Sequence, residues 1–355
     1  MQIKFVDDPS VQAAPAGFQN ALNEAASVIS AKLINDPITV TLDIGYGEVG
    51  GSPIAGGVLA EAAPTRGTFL TYDQLLSDLH NQALSAHDRT FLANLPASDP
   101  SGGNTANWFV SAAQEKALGL INPTSTEVDG EVGVSANFTY TFSQSGSIAP
   151  GSFDLVGILE HEITHALGRY APHGFLSPFD LTSYDPASGK LDLNNGPNSR
   201  YFSIDGGAVD LAGINGNSDP ADFSGLDGSG HPITDPFNAF LSPGTTYAWT
   251  NLDSTTMDVL GYQTAPINRH HDRYTVNIAD NQNPHESGTG PANALAGLFG
   301  DTTLAARDFE MLASGTAVID GTGGGGDPTT VPAGCLTMAA IQSDPPLHTM
   351  LAAES

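Results

Sequence analysis

Two histidines four residues apart, His161 and His165, stand inside an apolar run, and that pairing asks for a helix. Residues i and i+4 lie on one face of an α-helix, one turn apart. Leu155, Ile158, Leu159, Ile163, Ala166 and Leu167 supply apolar cover around them. Ser152 or Asp154 can cap the start, because a side-chain oxygen there accepts from otherwise unpaired backbone N–H groups. Gly168 ends the helix, as a residue that takes positive φ without penalty.

The same stretch carries chemistry. Imidazoles one turn apart can reach a single ion at about 2.0–2.1 Å. Glu162 directly follows the first histidine, so it is rotated off the ligand face and stands beside the ion. That is the place for a base acting on a metal-activated water. Random placement of the chain's His and Glu would yield roughly 0.01 such patterns, so the match carries information. These residues predict a bound Zn2+ held by His161 and His165, with Glu162 catalytic.

The rest of the chain frames this helix. Residues 2–6 and 38–44 read as strands, the second β-branched and alternating. Residues 16–34 show helical spacing through Phe18, Leu22, Ala25, Ala26, Ile29 and Leu33. A weaker strand is predicted at 54–62, helices at 72–84 and 105–118, and a strand at 131–142. The second of those helices would bury Trp108 and Phe109. From about 170 to 250 the chain is rich in Asp, Asn, Gly, Ser and Pro and reads as loops. A short helix near 253–260 closes this part at Gly261-Tyr262. Residues 321–330 are a linker by composition. The expected organisation is therefore a domain over 1–262 and a tail over 263–355, part linker and part secretion-related.

Charge narrows the partners. Lys plus Arg number 11 against 39 Asp plus Glu, a formal net charge of −28. Nucleic acid and anionic membranes are repelled by such a chain and are poor partners; a protein or peptide substrate is expected from the metal-and-base pattern at 161–165. No apolar stretch approaches the roughly 18 residues of a membrane span. The single cysteine, Cys335, forms no intrachain disulfide. Met1-Gln2-Ile3-Lys4-Phe5 lacks a basic region followed by an apolar run, so no classical signal peptide is visible. Few lysines, many Gly and Asp, and no such leader suggest a secreted protein exported through a C-terminal signal.

His161-Glu162-Ile163-Thr164-His165-Ala166-Leu167-Gly168 resembles the zinc helix of metzincin-type (zincin) metallopeptidases. More of residues 1–262 resembles a family of secreted bacterial zinc-dependent metalloproteases. The supporting stretches are Leu176–Leu181, Tyr201–Gly207, Asp235–Phe240 and Met257–Tyr262. The resemblance implies an α+β, zincin-like metalloprotease domain: a twisted sheet, the zinc-binding helix, a loop-rich C-terminal half and a C-terminal appendage. The 131–142 strand would form the sheet edge beside the cleft. A third metal ligand would follow the helix. Ala171 stands where that clan places a histidine, so His173, from an extended turn, and Asp180, in Pro178-Phe179-Asp180-Leu181, are the two candidates. Met257 is the candidate for the methionine beneath the metal, and Tyr184, Tyr201 and Tyr247 are candidates for an oxyanion donor.

Structural Ca2+ is a further expectation. Its candidates are Asp205-Gly206-Gly207, Asp219 to Asp222, and Asp227-Gly228-Ser229-Gly230, against the plainer reading of solvated turns. The implied activity is endopeptidase hydrolysis. The rivals are a metal-dependent hydrolase of other substrates, a catalytically silent metal-stabilised binding module, and a self-cleaving protein.

Overall fold

A computed structural model of the chain describes residues 1–264, apart from 35–37, 104, 173, 197–198 and 217, together with residues 310–313. The architecture is α+β. Its main elements in chain order are β1 (Gln2–Asp7), α1 (Phe18–Lys32), β2 (Thr39–Tyr46), β3 (Val58–Pro64) and β4 (Gly67–Leu70). Next come α2 (Tyr72–Gln82), α3 (Ala86–Asn94), β5 (Trp108–Ser111), α4 (Ala112–Ala117), β6 (Gly130–Val134) and α5 (Leu155–Leu167). The later elements are β7 (Ser183–Asp185), β8 (Lys190–Leu191), β9 (Arg200–Phe202), β10 (Ala212–Ile214), β11 (Phe223–Asp227), β12 (Phe240–Leu241), α6 (Asn251–Val259) and β13 (Glu310–Ala313).

The main sheet runs β1-β2-β6-β3-β13-β12. β1, β2 and β6 are parallel, and β3 turns antiparallel against β6. Helices α1 and α5 pack on each other, and α5 lies against β3 and β6. Their apolar faces meet the sheet in one core that includes Leu22, Ala25, Ile29, Val40, Leu42, Ile44, Val132, Ile158, Leu159 and Ile163, all buried. A fully buried aliphatic side chain contributes about 1.5–3 kcal/mol, so this layer dominates the stability of the sheet. Contact is closest where β6 crosses α5. A Cβ on Gly130 would stand 2.7 Å from the Ala166 methyl, so glycine lets strand and helix meet there.

Several expectations change on folding. The predicted helix over 105–118 is a strand followed by a short helix. Trp108, Phe109 and Val110 are aromatic or β-branched, and they pair antiparallel with β4, Phe69 opposite Phe109. That pairing overrides the local spacing. Helix α4 starts only after Ser111, which caps it: its hydroxyl accepts from Gln114 N while Gln114 Oε1 accepts from Ser111 N.

The predicted strand over 131–142 divides into β6 and a two-residue strand at Tyr140–Thr141. β6 is an inner strand rather than the edge. The strand on its outer side is β3, which the sequence shows only weakly. The stretch read as loops from 170 to 250 holds a five-stranded sheet ordered β8-β7-β9-β10-β11, its strands short and antiparallel. Of the tail, only Gln263, Thr264 and β13 fall within the described residues.

A buried ion pair ties the parallel strands to α4. Lys116 Nζ donates to Asp129 Oδ2 at 2.6 Å and to the carbonyls of Thr39 and Ser125. Asp129 also accepts from Thr41 N and from Arg66. Lys116 and Asp129 side chains are wholly buried. Removing the buried cation leaves Asp129 with the partly exposed Arg66 as its remaining ion-pair partner, so Lys116→Met is expected to cost at most about 3–5 kcal/mol in urea unfolding. A loss below about 1 kcal/mol would show the pair to be dispensable.

Candidate metal centre

Helix α5 is buried along its whole length. Asp154 caps it, its Oδ1 accepting from Gly157 N at 3.3 Å. At the other end Gly168 takes φ 112°, and its N–H closes on His165 O at 2.9 Å. Ser152 does not serve as the cap. Of the two sequence candidates, Asp154 occupies the capping position.

The two imidazoles are oriented from outside. His161 Nδ1 is 2.7 Å from Pro236 O, and His165 Nδ1 is 2.6 Å from Arg169 O. A carbonyl only accepts, so each Nδ1 carries the hydrogen and each Nε2 keeps its lone pair. The two Nε2 atoms converge to 2.8 Å. Asp222 Oδ1 lies 3.1 Å from each. His161, His165 and Asp222 are the one group of three such side chains, among the described residues, whose ligand atoms meet closely enough for a single ion.

Asp222 arrives from the C-terminal half. Ala221 N donates to Asp219 Oδ1 at 2.7 Å, and Asp222 N donates to Asp219 O at 3.1 Å. That turn delivers Asp222 immediately before β11.

Three lone-pair atoms this close need positive charge among them. Arg169 provides it in this structure. Its Nη1 donates to Asp222 Oδ1 at 2.9 Å and to Ala221 O at 2.7 Å, while Nη2 lies 2.9 Å from His165 Nε2. The guanidinium also stands over the Phe237 ring, 4.2 Å from its centre. Arg169 thus acts twice: its carbonyl orients His165 and its side chain holds Asp222.

The donor set suits zinc in kind, two neutral imidazoles and a carboxylate, with both second nitrogens fixed by carbonyls. Ligands at about 2.0–2.1 Å in a tetrahedron stand about 3.3 Å apart. The observed separations are a few tenths of an ångström shorter, so a small opening would admit the ion. Orphaned polar atoms support the same fit. Asp222 Oδ2 and both Glu162 carboxylate oxygens are buried with no hydrogen-bond partner.

Electrostatics follow from burial. His165 is lowered to about 3, first by burial and then by Arg169 and His161. Burial also lowers His161, with Asp222 working the other way. Both rings therefore stay neutral at ordinary pH, the form a metal ligand needs. Burial alone would raise Asp222; with both Nε2 atoms unprotonated, the donor that favours its ionised form is Arg169 Nη1 at 2.9 Å. Burial pushes Glu162 well up, and Asp222, Glu61 and Asp219 add to the rise while Arg169 opposes it. A dication at the three ligands would also favour ionised Glu162.

The residues anticipated as third ligand fare differently. Asp180 lies at a separate buried position, where it accepts from Ser177 N at 2.7 Å and Asn195 Nδ2 at 2.8 Å. Burial raises it to about 6 against those hydrogen bonds and Arg200. Its role here is to pin the turn after α5. His173 lies outside the described residues.

Asp222 takes its place in the group. The sequence marks the Asp219–Asp222 turn for calcium, but spacing does not single out Asp222 as a partner of distant histidines. The other turn aspartates serve their own loops: Asp205 Oδ1 accepts from Val209 N, and Asp227 Oδ1 from Ser229 N and His231 N. Met257 is buried in α6. The Tyr201 hydroxyl donates to Gly207 O, and the Tyr247 hydroxyl accepts from Ser242 N.

Compared with protein-family models, curated proteins and solved structures, the chain matches none.

If Asp222 completes the ligand set, Asp222→Ala leaves the chain with far less than one zinc after excess metal is removed. Asp180→Ala keeps its zinc and loses stability instead. Elemental mass spectrometry on both variants checks this, and equal zinc in wild type and Asp222→Ala would remove Asp222 from the set.

Proposed function

We propose that this chain is a zinc-dependent endopeptidase of metzincin type, with His161, His165 and Asp222 as ligands and Glu162 as general base. The observation that carries the reading is the convergence of two tautomer-locked Nε2 atoms and one carboxylate oxygen beside an unpartnered buried glutamate. Bound zinc would supply a Lewis acid and lower the pKa of its water toward about 7.

The chain's own groups do the rest. Pro236 O and Arg169 O hold the imidazoles so that their lone pairs face the ion. Glu162 takes the proton of the attacking water and passes it to the leaving amine. An extended peptide would align as a strand beside β3, where the sheet passes α5. A zincin-like fold, secretion and a structural Ca2+ belong to this reading as further proposals.

Arg169 favours a second reading. Its guanidinium already supplies the charge that the three ligands need, and His161, Glu162, His165 and Asp222 are wholly buried. A closed His–Asp–Arg network of this kind would serve a catalytically silent module.

Glu162→Gln separates the two. On the peptidase reading it lowers casein cleavage by about 10²–10⁴-fold and leaves one zinc per chain. A wild-type chain that takes up no zinc and cleaves nothing would favour the silent network.

A further inference from the structure

The sheet edge beside α5 is filled by a distant part of the chain. β3 pairs with β6 on one side and with β13 on the other. β13 runs antiparallel to β3, with Glu310 opposite Glu61, Met311 opposite Ala60 and Leu312 opposite Val58. It runs parallel to β12, with Phe240 opposite Leu312 and Leu241 opposite Ala313. Four residues about 13 Å long thus bridge two strands of the first 262 residues that do not pair with each other.

This slot borders the candidate centre on both walls. β3 packs against α5. β12 follows the loop in which Pro236 O holds His161. A backbone edge of this kind presents unpaired N–H and C=O groups, and an extended chain satisfies them without regard to its side chains.

We propose that the slot between β3 and β12 is a binding site for an extended peptide, and that this chain's own segment 310–313 fills it in place of a peptide from outside. The inference deepens the peptidase reading and rests on it for treating the outside peptide as substrate. A chain closed in this way meets other proteins with its strand site occupied, so self-occupancy of the slot and access to Glu162 oppose each other.

Proline tests the pairing, since it lacks the N–H and is excluded from central strands. The full-length chain carrying Glu162→Gln, which prevents cleavage, is compared with the same chain carrying Leu312→Pro or Met311→Pro. Hydrogen exchange within 58–61 is expected to quicken about tenfold or more in the proline chains at the amides that face β13, while Val58 N–H stays on Ala55 O. A fluorescent synthetic peptide with the sequence of residues 306–317 is expected to bind the proline chains about tenfold more tightly, because the competing segment no longer holds the slot.

Bound peptide should also restore the protection at 58–61. Unchanged exchange at 58–61, or equal affinity in the presence and absence of the proline, overturns the proposal. Zinc content and casein cleavage of the Leu312→Pro chain with Glu162 intact report separately on the peptidase reading. If that opened chain binds the peptide but cleaves nothing, the peptidase reading falls and the strand site stays in place.

Discussion

Everything around the centre depends on keeping three lone-pair atoms together in a dry interior. Two imidazole nitrogens and a carboxylate oxygen within 3.1 Å of one another repel unless a cation joins them. The chain answers with Arg169, whose five donors are divided among Asp222, His165, Thr164 Oγ1 and two carbonyls. Its position is set by sequence: it directly follows Gly168, the residue that ends α5. The helix terminus and the charge balance of the centre therefore have a common origin.

The surrounding fold translates that local demand into architecture. α5 must be buried on all sides, so it lies under the sheet, against α1, and beneath the loops of the second half. Pro236 and Asp222 come from those loops. They are held by short-range turns: Asp235 accepts from Phe237 N, and Asp219 from Ala221 N. Small, repeated Asp turns thus set the backbone of the loop-rich half, beside its own buried packing through Phe179, Phe202, Phe223 and Phe237.

Much of this was legible in the chain itself. The helix around His161 and His165, its glycine stop, and the strands at 2–6 and 38–44 follow from periodicity and hold in the structure. The strand at Trp108–Ser111 was hidden because its four residues fit a helical face as well as a strand, and only pairing with β4 decides between them. Asp222 was hidden for another reason. Asp180 and Asp222 both sit in polar loop sequence, and no local signal tells which one the five-stranded sheet will carry back to the helix. Asp180 offered the better local context and took a structural role.

The hydrogen bonds at the C-terminal end of α5 bear on the order of folding. Leu167 O accepts from the hydroxyls of both Ser111 and Tyr262, and Gln114 reaches Leu260 O. A ribosome releases Tyr262 nearly a hundred residues after the helix it staples. Contacts of such separation are slow to form. The emerging chain must therefore hold α5, with its broad apolar face and its buried His161, Glu162 and His165, without its final partners for several seconds at ordinary synthesis rates of about 5–20 residues per second. That interval, rather than the finished protein, is when this helix is most exposed to aggregation and to chaperone capture.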